Sequence, residues 1–234
     1  TPVVVGDKVF VVSNGPNFEK LYGMCIDADT GNVLWSKLLS EEGSVNRRNS
    51  LASCSPAADE DFVYFAFGTG LVVALDHDGN EVWTSNLKDL GPVGAQFGYS
   101  SSTLLYKDRL YFPIQRGQWG SSTHQPQYTD KDCYLICLEA KTGDLEFRVH
   151  RPTDAISESF DSYASAIPYE ADGQDVIVVQ GGDHTTGHDP ETGEERWRFA
   201  DNPSKAPYWR LIPTPVVIGD LIFNAQPRGS MAYA

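Results

Sequence analysis

Two acid–histidine pairs, Asp183-His184 and His188-Asp189, form the densest group of titratable side chains in the sequence. A carboxylate beside an imidazole can take up a proton near neutral pH or hold a metal ion. Arg47, Arg48, Arg116, Arg210 and Arg228 fall in segments that read as loops, where guanidinium forks would suit an anionic ligand or would brace loop carbonyls. The longest of these segments, 115–130, adds Trp119 and His124. It mixes donors, aromatics and an imidazole without hydrophobic periodicity, and reads equally as a binding loop or as a solvated excursion over neighbouring structure. Asp27-x-Asp29-x-Gly31 and Asp76-x-Asp78-Gly79 begin like calcium loops, but neither continues to the glutamate that closes one. No nucleophile elbow, phosphate loop, zinc-protease helix or dinucleotide fingerprint is present, so hydrolase and kinase chemistry has no support.

The elements that position these residues must come from a chain of 234 residues with 41% hydrophobic and 12% aromatic content, 14 Pro and 21 Gly. That is the profile of an ordered, turn-rich globular protein. A formal net charge of -14 disfavours a nucleic-acid partner, since 18 Lys and Arg face 32 Asp and Glu. No stretch approaches the ~18 apolar residues of a membrane span, and the opening residues read as a strand, so any export signal is expected outside this chain. Cys25, Cys54, Cys133 and Cys137 are too few for a disulfide scaffold and too irregular for a zinc ribbon. Cys133 and Cys137 share a face of one strand about 13 Å apart and cannot pair with each other.

Internal repetition organises the rest. Cys25-Ile26-Asp27-Ala28-Asp29-Thr30-Gly31 is followed by Trp35, and Ala74-Leu75-Asp76-His77-Asp78-Gly79 by Trp83. Cys137-Leu138-Glu139-Ala140-Lys141-Thr142-Gly143 is followed by Phe147, and Gly187-His188-Asp189-Pro190-Glu191-Thr192-Gly193 by Trp197. Upstream of each lie two β-rich runs joined by a tight turn, so each unit supplies four strands, A to D. No segment sustains a helical period. The reading is all-β: a β-propeller of four-stranded antiparallel blades, about four and a half of them, at roughly 1–40, 55–87, 101–152, 162–200 and an incomplete 214–234.

This register reassigns much of the chemistry. The acids at 27, 76, 139 and 189 serve strand-connecting turns, with glycine at positive φ. His188 lies within strand C beside the aligned small residues Cys25, Ala74, Cys137 and Gly187, which are expected to let adjacent sheets approach. Trp35, Trp83, Phe147 and Trp197 become mortar between blades. The A–B and C–D turns lie at one end of each blade. The B–C loops and D–A links, at 14–20, 40–53, 88–100, 115–132, 152–162 and 201–213, lie at the other and carry recognition. Arg48, Arg116, Trp119, His124, Asp183, His184, Trp209, Arg210 and Arg228 are therefore the candidate binding residues, and no catalytic or metal-ligating residue is nominated.

The acid-x-x-Thr-Gly turn with its trailing tryptophan resembles the pyrroloquinoline-quinone-like (PQQ-like) repeat, across essentially the whole chain. The strings at 67–76, 181–190 and 208–216 are most similar to exported bacterial propellers that resemble the propeller lipoprotein of outer-membrane β-barrel assembly. The resemblance implies seven or eight blades in total, hence a partial propeller here, and an extracytoplasmic location. It implies a non-catalytic scaffold without cofactor that binds a protein, peptide or polysaccharide at its loop-rich face. The alternative is a quinoprotein dehydrogenase using PQQ with calcium, in which arginines hold the cofactor carboxylates and Asp183 takes a substrate proton. The paired adjacent cysteines usual in those enzymes do not occur in this sequence.

Overall fold

The computed structural model describes residues 1–43, 45–46, 49–95, 97–115, 133–171, 173–226 and 229–233. Arg47, Arg48, Arg116, Trp119, His124 and Arg228 lie outside them. Strands β1 (Val3–Val5), β2 (Lys8–Asn14), β3 (Leu21–Asp27) and β4 (Val33–Ser40) form the first sheet, followed by a small ribbon of β5 (Val45–Asn46) and β6 (Asn49–Ser50). The second sheet contains β7 (Ala57–Ala58), β8 (Phe62–Ala66), β9 (Leu71–Asp76) and β10 (Glu81–Asn86). The third contains β11 (Leu104–Tyr106), β12 (Arg109–Ile114), β13 (Tyr134–Glu139) and β14 (Leu145–His150). The fourth contains β15 (Ile167–Ala171), β16 (Gln174–Gly181), β17 (His184–His188) and β18 (Glu195–Ala200). Strands β19 (Val216–Ile218), β20 (Leu221–Gln226) and β21 (Gly229–Tyr233) make a three-stranded sheet. Neighbours in sequence are neighbours in each sheet, which is the meander of a propeller blade. Among the described residues, no helix is long and apolar enough to cross a membrane.

The chain divides into two compact units, Thr1–Leu110 with Glu139–Asp144, and Tyr111–Leu138 with Leu145–Ala234. Within each, the middle strands are buried on both faces: β8 and β9 are almost wholly enclosed in the first unit, β13 and β16 in the second. Outer strands such as β4 and β14 are largely exposed. Apolar runs without alternation suit strands covered on both sides.

One contact recurs. The small strand-C residue stands directly opposite the strand-D aromatic of its own blade: Cys25 opposite Trp35, Ala74 opposite Trp83, Cys137 opposite Phe147 and Gly187 opposite Trp197. A Cβ on Gly187 would lie 2.2 Å from the Trp197 ring, so the small residue makes room for this ring rather than for an adjacent sheet. Three of these rings then reach the turn glycine of the following blade. A Cβ at Gly79 would lie 3.0 Å from Trp35, at Gly143 2.6 Å from Trp83, and at Gly193 2.4 Å from Phe147. The indole N–H of Trp35 donates to His77 O at 3.0 Å, and that of Trp83 to Ala140 O at 2.8 Å. Phe147 has no such donor; Tyr111, tilted against it with ring centroids 6.3 Å apart, donates its hydroxyl to the equivalent carbonyl, Pro190 O, at 2.9 Å. A buried carbonyl left without a partner would cost about 1–3 kcal/mol, which explains why the donor is replaced when the tryptophan is not there.

The turns themselves follow from side-chain capping. Asp27 Oδ1 accepts from the Thr30 amide at 2.7 Å and its hydroxyl at 2.6 Å, and Asp76 Oδ1 from the Asn80 amide at 2.8 Å. These oxygens are committed to turn donors rather than arranged for calcium, and no cluster of three metal-ligating side chains occurs among the described residues. Asp7 O accepts from Ala28 N at 2.8 Å and Asp108 O from Ala140 N at 3.0 Å, so the A–B and C–D turns share one end of their blades.

The seating contact predicts unequal costs for the same substitution. Gly31 has φ +72 and nothing within 4 Å of an added Cβ, whereas Gly143 has φ +76 and faces Trp83. Gly31→Ala should cost about 1–2 kcal/mol of unfolding free energy, from backbone strain alone. Gly143→Ala should cost at least about 3 kcal/mol, because the ring must also move. Chemical denaturation of both variants decides it, and equal losses would contradict the seat.

Candidate functional site

The loop-rich end of the second unit is built on an arginine that nothing in its local sequence marks out. Arg151 follows β14 and is fully buried. Its Nε donates to Thr186 Oγ1 at 2.8 Å, Nη1 to Gly181 O at 2.8 Å and Gln115 Oε1 at 3.2 Å, and Nη2 to His184 O at 2.7 Å and Val179 O at 3.3 Å. A buried cation normally needs a carboxylate; here five neutral oxygens solvate it. Burial, with Arg198 as a like charge, pulls its pKa down to about 10, so it stays charged at neutral pH.

This guanidinium grips the turn between β16 and β17 from below. Gly181, Gly182 and Asp183 all take positive φ, at 139, 59 and 67 degrees. A Cβ on Gly181 would strike Ser162 at 2.3 Å, so only glycine fits there. Thr153 donates its hydroxyl to Gly182 O, and Asp201 N donates to Asp183 O at 2.8 Å. The links on both sides of the blade thus converge on one turn.

Asp183 and His184 have different fates. The Asp183 side chain has no solvent exposure; Asn202 Nδ2 donates to it at 2.8 Å and the Lys205 ammonium lies 3.5 Å away. Burial raises its pKa against the opposing pull of Asn202 and Lys205. It fixes the 201–206 segment through these bonds. His184 lies half-buried at the surface, with Nδ1 2.9 Å from Gly182 O. Because a carbonyl can only accept, Nδ1 carries the proton and Nε2 is the acceptor in the neutral ring. Burial, then Arg198, Arg151 and Lys205, keep its pKa below the ordinary 6.5.

Lys205 also pairs with Asp154, and Arg198 bonds Glu195 through Nε at 2.7 Å and Nη2 at 2.6 Å, and Pro152 O through Nη1 at 2.6 Å. Pro152, Thr153, Asp154, His184 and Arg198 wall an open cleft of about 400 Å³. Of the residues nominated by sequence, the structure places His184 in this cleft and Asp183 beneath it.

Trp209 and Arg210 belong to a second feature. Links 152–162 and 201–213 zip together through Glu158 N to Pro207 O at 3.0 Å, Ser159 Oγ to Ala206 O at 2.7 Å, Trp209 N to Ser159 Oγ at 3.1 Å and Tyr163 N to Leu211 O at 2.9 Å. Arg210 Nη2 meets Glu158 at 2.5 Å. The zipped links leave Ile156, Tyr208 and Ile212 exposed by 47, 67 and 62%.

The quinone alternative can be tested on these groups. It asks an acid such as Asp183 to take a substrate proton and arginines of the loop-rich face to hold the cofactor carboxylates. Asp183 is enclosed beside Asn202 and Lys205 and Arg210 is paired with Glu158, so these two do not fit the group, while Arg47, Arg48, Arg116 and Arg228 lie outside the described residues.

His188 is structural. It is buried, with Nδ1 2.9 Å from Gly193 O and Nε2 2.9 Å from Thr186 Oγ1, and burial lowers its pKa to about 4. Between that value and the 6.5 of a free imidazole the unfolded chain binds the extra proton. Its stabilisation is therefore complete above pH 6.5 and is lost as pH falls towards 4, by about 3 kcal/mol. Denaturation across that window should show the loss in the native protein and a flatter profile in His188→Gln; parallel profiles would refute the assignment.

Residues 1–122 and 127–233 match the family model described as outer membrane protein assembly factor BamB. No curated protein matches the sequence. Among solved structures, a europium-containing methanol dehydrogenase is similar with a TM-score of 0.68 at 12% identity, over 99% of this chain and 48% of that one. The quinohemoprotein alcohol dehydrogenase of Comamonas testosteroni gives 0.60 at 16%, over 97% and 39%, and ADHIIG of Pseudomonas putida HK5 gives 0.63 at 15%, over 99% and 39%. This chain therefore spans less than half of each of these proteins, and the likeness shows the fold alone. Four-stranded meander blades, a repeated acid–glycine turn with its seated aromatic, and a family model matching nearly every residue together establish that the chain belongs to the BamB family of PQQ-like propeller repeats.

Proposed function

We propose that this chain is the recognition part of a non-catalytic, extracytoplasmic propeller scaffold, and that its partner is a polypeptide. The observation that carries this reading is the pair of zipped links, 152–162 and 201–213, which hold Ile156, Tyr208 and Ile212 out in water on a hydrogen-bonded frame. Aliphatic and tyrosine side chains exposed on a rigid support, beside polar groups, are the makings of a protein-binding patch. Loops that were merely solvated would have no reason to be braced by Arg210–Glu158 and by the Ser159 bonds. The family's description as an outer membrane protein assembly factor agrees with a polypeptide partner and with a location outside the cytoplasm.

The reading predicts where a partner touches. A photo-crosslinking amino acid placed at Tyr208 or Ile212 of the full-length protein in its native cells should give discrete polypeptide adducts. The same probe at Thr30, in a turn at the other end of its blade, should give none. Adducts of equal yield at both ends, or none at 208 and 212, would refute the assignment.

A further inference from the structure

The cleft beside the zipped links discriminates by hydrogen-bond type. Thr153 spends its hydroxyl proton on Gly182 O and accepts from Ala155 N at 3.1 Å. Arg198 uses three of its five N–H groups on Glu195 and Pro152 O, which leaves one on each Nη. His184 Nδ1–H is committed to Gly182 O, so Nε2 presents a lone pair. The charged groups around the ring come from every neighbouring element: Arg151 and Asp154 from the link after β14, Asp183 from its own turn, Glu195 and Arg198 from β18, and Lys205 from the link after β18.

Each charged ligand class meets an obstacle here. An ammonium or guanidinium would enter beside Arg198 and Lys205, with the nearby carboxylates Glu195, Asp154 and Asp183 already paired with those two cations. A carboxylate can place one oxygen on the remaining Arg198 N–H groups, but its other oxygen finds no donor at Nε2 of neutral His184, which presents a lone pair. An uncharged group that donates to Nε2 while accepting from a nitrogen of Arg198 meets neither. A primary carboxamide offers both functions on one planar group.

We propose that the Pro152–Thr153–Asp154–His184–Arg198 cleft is a subsite for a primary carboxamide, the side chain of an asparagine or glutamine on the polypeptide partner. This rests on the polypeptide-binding reading above and names the chemistry it selects. His184 is the acceptor, Arg198 the donor, and Arg151 sets the imidazole in place through its bond to His184 O. Protonating His184 turns its acceptor into a donor, so the subsite works above the titration of this ring and fails below it.

The test uses full-length protein with isotope-labelled histidine, titrated with the blocked amino acids N-acetylglutamine, N-acetylglutamate and N-acetyllysine methylamides. The glutamine compound should shift the His184 Nε2 resonance saturably at neutral pH. It should bind at least about tenfold more tightly than the two charged compounds, and weaken as acidification below the ordinary imidazole range protonates the ring. His184→Phe should abolish the response. Equal or tighter binding of a charged compound, saturation without movement at His184, or no binding by any of the three overturns the proposal. Since a substitution can disturb folding, the comparison of ligands on unmodified protein decides it. Crosslinking at Tyr208 that persists undiminished in His184→Phe while the glutamine compound fails would overturn the cleft and leave the polypeptide surface standing; loss of crosslinking at Tyr208 and Ile212 in unmodified protein would overturn the surface itself.

Discussion

A strand-D aromatic lying across a small strand-C residue, with its far edge on the turn glycine of the next blade, is the contact on which this fold depends. It explains three sequence features at once: a residue no larger than cysteine at 25, 74, 137 and 187, the turn glycines at 79, 143 and 193, and a ring four residues after each turn glycine. The small residue lets the ring lie flat, and the glycine lets it reach. A single small sheet cannot bury both of its faces, and where a ring meets the following turn, as at Trp35–Gly79 and Phe147–Gly193, it ties one meander to the next within a unit. The replacement of an indole N–H by the hydroxyl of Tyr111 at the Phe147 position shows that the carbonyl's demand for a donor is met even where the ring changes.

That rigidity is handed to the loop-rich end through Arg151. Its five bonds tie three carbonyls and two side chains into a fixed platform, at the cost of burying a charge. The platform fixes three successive positive-φ residues, and these place Asp183 inward and His184 outward. Asp183 then fastens the following link through Asn202 and Lys205. A carboxylate that looks from its neighbour like half of a catalytic pair serves as an internal strut.

The fold was legible because its determinants are local and periodic: an acid, a glycine and an aromatic at constant spacing can be aligned by eye. Much of the site was not. Arg151 bonds to groups 28 to 36 residues away, and nothing in its immediate sequence marks it as buried. Lys205 and Asn202 act through Asp183 across 22 and 19 positions. Register did assign His188 to strand C, and its two hydrogen bonds there account for it. Trp209 and Arg210 were legible as lying outside the repeat, but their role in zipping two links required knowing that Ser159 and Glu158 stand opposite them.

The central claim is that the turn carrying His184 is a preorganised platform held by Arg151. Residue-resolved amide hydrogen exchange tests it most directly, by comparing native protein with Arg151→Lys. The account predicts that Arg151 N and Asp201 N, bonded to Cys133 O and Asp183 O at 2.9 and 2.8 Å, exchange in the native protein as slowly as the core strands. It predicts that Asp201 N speeds up selectively in the variant, since an ammonium cannot replace a five-donor fork. Loop-like exchange in the native protein, or protection unchanged by the substitution, would contradict it.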